Sequence, residues 1–160
     1  MSESENPMPD NTIEALEQHL GANWEHLRSA RERASKAKAE LRHALREFDS
    51  SDTVIVVSGS LARDEFTPGS DIDWTLLIDG FADPQHYDLT AKINTIVNKS
   101  AAKPTGAEGT FSTMVFSHNL IHEIGGEDDT NRNTTRRLLL LLESAAVGRG
   151  DAYQRVLKTS

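Results

Sequence analysis

From Thr12 onward, apolar residues recur at spacings of three and four: Ile13, Leu16, Leu20, Trp24 and Leu27, then Ala34, Leu41, Leu45 and Phe48. That period predicts a long amphipathic helix over 12–48, with Gly21 as its weak point. Residues 1–11 carry no such period and read as a disordered tail. Asp49, Ser50 and Ser51 make a turn. The β-branched run Thr53–Ser58 then predicts a buried strand. A polar stretch ends in Thr67-Pro68-Gly69-Ser70, which is turn chemistry. Residues 72–79 follow as a second strand, in which Ile72, Trp74, Leu76 and Ile78 alternate with Asp73, Thr75, Leu77 and Asp79.

Asp83-Pro84 has the form of an N-cap and an N1 proline, opening a helix over 83–101 with Leu89, Ile93, Ile96 and Val97 as its core stripe. A loop at 103–110 leads to a third strand at 111–117, which 119–124 either extends or follows after a bulge. After a second loop, 132–147 reads as a helix capped by Gly148; its run 138–142 is apolar on every side and is expected to be buried. The last dozen residues have the pattern of a further helix start. The order predicts an α+β domain over 52–148, a small mixed sheet flanked by helices. A helical segment (12–48) precedes it, and a tail (149–160), open to truncation, follows.

Composition narrows the classes. The chain has 160 residues, 17 Lys+Arg against 25 Asp+Glu, a net charge of −8, and no cysteine. Disulfides, thiolate zinc sites and cysteine nucleophiles are excluded together, and a cytoplasmic address is the default expectation. No apolar run approaches a membrane span, and Met1–Asp10 lacks the apolar region of a secretory signal. Net acidity weighs against nucleic acid as a partner. The seven Arg and Lys residues between Arg28 and Arg46 read as a solvated helix face.

Candidate chemistry is concentrated between the first two strands. Gly59-Ser60 closes the first; Asp71 and Asp73 open the second. Residues two apart in a strand share a face, so both carboxylates project together. Such a pair is costly to bury unless a cation lies between them, and Mg²⁺ (or Mn²⁺) with phosphate oxygens suits two hard carboxylates. Glycine admits a phosphate close to the backbone, and the Ser60 hydroxyl can donate to it. Arg63 is a further phosphate contact or a partner for Asp64 or Glu65.

With Gly59, Ser60, Asp71 and Asp73 at this spacing between two strands, the chain resembles the DNA polymerase β-like nucleotidyltransferase superfamily. The resemblance covers about residues 53–125 and has no counterpart for 1–48. It implies Mg²⁺-dependent transfer of a nucleoside monophosphate from a nucleoside triphosphate to an acceptor hydroxyl, on a small molecule, a protein or an RNA end, with release of pyrophosphate. It also implies a third carboxylate on the next strand. Residues 111–117 contain no acid; Glu108, Glu123, Asp128 and Asp129 are the candidates, Glu123 having the expected placement. The alternative reading, for a chain without that acid, is a catalytically weak or inactive nucleotide-binding regulatory domain.

Residues 129–133 read as the N-cap of the leucine-rich helix, or as a loop beside the nucleotide with Arg136 or Arg137 on phosphate. His118 and His122 lack a third ligand for zinc. The apolar seam of 13–48 must be covered, either by packing across the sheet or by a homodimer or partner chain joined through the N-terminal helix.

Overall fold

A computed structural model describes residues 12–100 and 113–159. The tail at 1–11, the loop at 103–110 with Glu108, and the start of the third strand at Phe111 and Ser112 lie outside the described residues.

The expected long helix is two. Helix α1 (Thr12–Leu20) ends at Gly21, whose φ of +60° is left-handed and terminates the run, and α2 (Glu25–Leu45) restarts it before a short 3₁₀ turn at Arg46–Phe48. Glu17 ties the corner by accepting from the Trp24 backbone N–H and from Arg28. Strand β1 (Thr53–Ser58), a single helical turn α3 (Gly59–Ala62) and β2 (Asp73–Ile78) follow, then helix α4 (Gln85–Ser100) and β3 (Thr113–Phe116). Residues 119–124, expected to continue β3, instead belong to the short helix α5 (Ser117–Ile121) and the turn after it.

The segment expected as one helix over 132–147 divides. Helix α6 (Asn131–Leu142) stops, and Ser144–Val147 forms β4, so Gly148 (φ +100°) closes a strand rather than a helix. The cause is tertiary: β1 is buried along its whole length, and its second edge takes hydrogen bonds from β4. Residues 151–159 form α7 (Asp151–Thr159).

The sheet runs β3-β2-β1-β4, with β1 antiparallel to both neighbours and β2 parallel to β3 through the α4 crossover. Each face carries a core. On one, Ile55, Val57, Trp74 and Leu76 pack against Leu41 of α2 and Ile93 of α4. On the other, Val54, Val56 and Leu77 pack against Leu120 of α5, Leu140 of α6 and Tyr153 of α7. Arg155 of α7 reaches back to Asp79 at 2.8 Å and to the Ser51 carbonyl at 2.7 Å.

Two burial expectations change. In the run 138–142 only Leu140 is buried, while Leu138, Leu141 and Leu142 are exposed by 53%, 48% and 78%. Successive helix residues turn by about 100°, and α6 meets the sheet with one side only. The seam of 13–48 is likewise half covered: Ala34, Leu41 and Leu45 enter the core, whereas Leu16, Leu20 and Leu27 face outward. Among the described residues no helix is long and apolar enough to cross a membrane.

Candidate active site at the sheet edge

The candidate residues meet where β1 ends and β2 begins. Ser58 lies opposite Asp73 in the β1–β2 register and opposite Ser144 in the β1–β4 register. The chain leaves β1 through Gly59, whose φ of +66° lies in the left-handed region that favours glycine. A Cβ built at Gly59 would stand 3.2 Å from Asp73 Oδ2, so the backbone there is drawn up against the carboxylate. The following turn is fixed by Arg63 N–H to the Gly59 carbonyl (3.0 Å) and Glu65 N–H to the Ser60 carbonyl (2.8 Å). Ser60 is half-buried, and its hydroxyl has no hydrogen bond among the described residues.

Along β2, Trp74 and Leu76 face the α2 and α4 side, so Asp73 shares the opposite face with Thr75 and Leu77. Asp71 stands close enough to Asp73 to act on it electrostatically. Burial, and then the Asp71 charge, push the Asp73 carboxyl above the usual carboxylate range. Among the described residues neither aspartate has an ion-pair partner. Two hard, mutually repelling oxygen donors without a cationic side chain, beside a glycine that keeps their front open, fit a divalent cation.

Other expected contacts are used differently. Arg63 donates to Glu65 at 2.9 Å and to Glu143, which the α6–β4 junction delivers to the same end of the sheet. Asp64, a non-glycine residue with a positive φ (62°), is held by Lys38 of α2 at 2.6 Å. Glu123 is occupied elsewhere: it accepts from Asn119 at 2.8 Å and from Asn133 at 3.4 Å. Among the described residues no three His, Asp or Glu side chains come together as a metal-holding group, so Glu123 does not complete a set with Asp71 and Asp73.

The loop before α6 resolves into a cap and a clasp. Thr130 accepts from the Asn133 backbone N–H, while Asp129 accepts from Gly125 N–H at 2.8 Å and from Arg137. The Gly125 N–H first, with Arg137 adding to it, holds the Asp129 carboxyl below the usual range. Arg137 is thus committed to the loop. Arg136 turns the other way, toward the sheet, and donates to Thr113 Oγ1 at 2.8 Å. It helps enclose a narrow cavity of ≈ 40 Å³ between α6 and the sheet, with Ser58, Thr75 and Ser144 among the lining.

Sequence reasoning did not foresee Glu143 and Ser144 at this edge, since it placed both inside a helix. The one usable sign was the apolar run Val54–Val57: a strand covered on both faces sits inside its sheet, with a neighbour on each edge.

No curated protein and no solved structure matches the chain. Residues 38–106, which take in the second half of α2, β1, the Gly59-Ser60 turn, β2 and α4, match the family model for the nucleotidyltransferase domain. Over those residues the chain is similar to the nucleotidyltransferase domain, a finding consistent with the DNA polymerase β-like nucleotidyltransferase superfamily.

Proposed function

We propose that the protein transfers a nucleoside monophosphate from a nucleoside triphosphate to an acceptor hydroxyl, with Asp71 and Asp73 holding Mg²⁺ or Mn²⁺ and with Gly59 and Ser60 receiving the phosphates. The observation that carries this reading is the approach of the Gly59 backbone to the Asp73 carboxylate, because it sets a phosphate cradle beside a carboxylate pair. A divalent cation bound there supplies charge neutralisation for the phosphate oxygens. The Ser60 hydroxyl, free of internal hydrogen bonds among the described residues, donates to the triphosphate. Arg63 holds Glu65 and Glu143, so its part is to brace the turn rather than to meet phosphate. The acceptor hydroxyl oxygen bonds to the α-phosphorus, the bond from the α-phosphorus to the α–β bridging oxygen breaks, the hydroxyl proton passes to water, and pyrophosphate leaves. Catalysis of this kind rests on positioning and electrostatics.

Calorimetric titration of ATP with and without Mg²⁺ tests the site. Metal-dependent binding that is lost in Asp71→Asn and Asp73→Asn supports it; binding unchanged in both variants counts against it. A second reading, a nucleotide-binding regulatory domain, draws on the capture of Glu123 by Asn119 and Asn133. It requires the same metal-dependent binding without transfer.

A further inference from the structure

Arg136 is a cation set into the sheet–α6 interface without a counter-charge among the described residues. Its neighbours across the cavity are hydroxyls and aliphatic groups: Ser58, Thr75, Leu77 and Ser144 on the strands and Leu139 and Leu140 on its own helix. One terminal nitrogen donates to Thr113 Oγ1, whereas Nε is buried and has no hydrogen-bond partner among the described residues. None of the ion pairs among the described residues includes it, while the adjacent Arg137 is paired with Asp129. Burial, and then the Arg132 charge, lower the Arg136 pKa, which is the mark of a cation that lacks a compensating acid. A half-buried guanidinium with a vacant donor is costly to the fold alone and becomes favourable when an oxyanion enters.

Its place in the sheet is informative. In the order β3-β2-β1-β4, Gly59-Ser60 follows β1 on one flank of Asp73, and Thr113, which Arg136 holds, begins β3 on the other. Thr75, which shares the face of Asp73, is the cross-strand partner of Thr113. The Thr113-bound end of the Arg136 guanidinium therefore lies on the β3 flank of Asp73, across β2 from the Gly59-Ser60 cradle, while its cavity reaches under β2 to Ser58. In-line displacement puts the attacking and leaving oxygens on opposite sides of the phosphorus, so both flanks of such a site are used.

We propose that Arg136, with Thr113, forms an oxyanion subsite on the β3 flank of Asp73, taking a phosphate or carboxylate oxygen of a ligand bound in the cleft. This rests on the nucleotidyl-transfer reading for the ligand's source, which is either the nucleotide's phosphates or an anionic group of the acceptor. The chemistry is the same in both, and the test separates them.

The test follows the Arg136 Nε–H resonance in ¹⁵N NMR of the 160-residue chain, assigned by its loss in Arg136→Met and Arg136→Lys. Inorganic phosphate, tripolyphosphate without metal, and ATP with Mg²⁺ are titrated in turn. We expect phosphate and tripolyphosphate to shift the resonance, and tripolyphosphate affinity to fall by about tenfold in Arg136→Met and by less in Arg136→Lys, which keeps the charge but not the fork. If ATP affinity falls in parallel, the oxyanion is the nucleotide's. If ATP affinity holds and phosphate still shifts the resonance in the ATP-saturated protein, it is the acceptor's. A resonance unmoved by all three, or an Arg136→Met variant that binds all three as the parent does, overturns the proposal. Oxyanion binding at Arg136 alongside no metal-dependent ATP binding lost in Asp73→Asn would leave the subsite standing and remove the transfer reading.

Discussion

The Gly59 backbone is packed against the Asp73 carboxylate so closely that a Cβ at Gly59 would stand 3.2 Å from Oδ2. The glycine is doubly constrained, since its φ of +66° already disfavours an L side chain. Gly59→Ala is therefore expected to cost about 1–2 kcal/mol of stability from backbone conformation. It should also weaken Mg²⁺-dependent ATP binding, because the methyl group stands where the carboxylate and phosphate meet. Urea unfolding and calorimetry measure the two effects separately; loss of stability with unchanged ATP binding would show that the contact is only structural.

Asp73→Asn should abolish metal-dependent nucleotide binding and leave the apo protein as stable as the parent, or more so, at pH 7. Burial and Asp71 raise the Asp73 pKa, so its contribution to stability is present below the unfolded value of 3.8 and is lost as pH rises through the folded value. The advantage of the Asn variant should thus appear at neutral pH and vanish in acid. Thermal melts at pH 3.5 and pH 7 give the sign directly. A variant less stable than the parent at pH 7 would contradict it.

Ser60→Ala removes a hydroxyl that has no internal hydrogen bond among the described residues, so the melting temperature should stay put. Triphosphate affinity should fall by about 1.5–3 kcal/mol, the worth of a hydrogen bond to a charged group, while nucleoside affinity is unchanged. Equal loss for ATP and adenosine would place Ser60 beside the base instead.

On α6 the two ends of the leucine run should behave differently. Leu140, 7% exposed, packs into the second core, and Leu140→Ala should cost about 2–5 kcal/mol. Leu142, 78% exposed, touches little, and Leu142→Lys should change stability by no more than about 0.5 kcal/mol. Comparable losses would mean that the outer side of α6 is covered in solution.

The parts of the fold that local pattern controls were legible in the residues. TVIVVS reads as a buried strand because β-branched side chains suit it, and DWTLLI alternates as a strand should. Gly59, Ser60, Asp71 and Asp73 sit within fifteen residues of one another, and one turn brings Gly59 and Asp73 together. Where a distant partner decides, the pattern misled. The helix-like stretch into Ala145 and Ala146 becomes a strand because β1 supplies the hydrogen bonds. Glu123 has the sequence position of a third carboxylate, but two asparagines hold it. The choice between Arg136 and Arg137 depends on which side of α6 faces the sheet, and Asp129 settles Arg137.

The most direct measurement of the central claim is transfer of α-phosphorus label from each of the four ribonucleoside triphosphates, with Mg²⁺ or Mn²⁺ and a panel of hydroxyl acceptors. The assay compares the parent chain with Asp73→Asn. The account predicts that at least one triphosphate yields pyrophosphate and labelled product with the parent, and that Asp73→Asn yields neither. Label that stays on all four triphosphates, or that moves equally fast with Asp73→Asn, would contradict it.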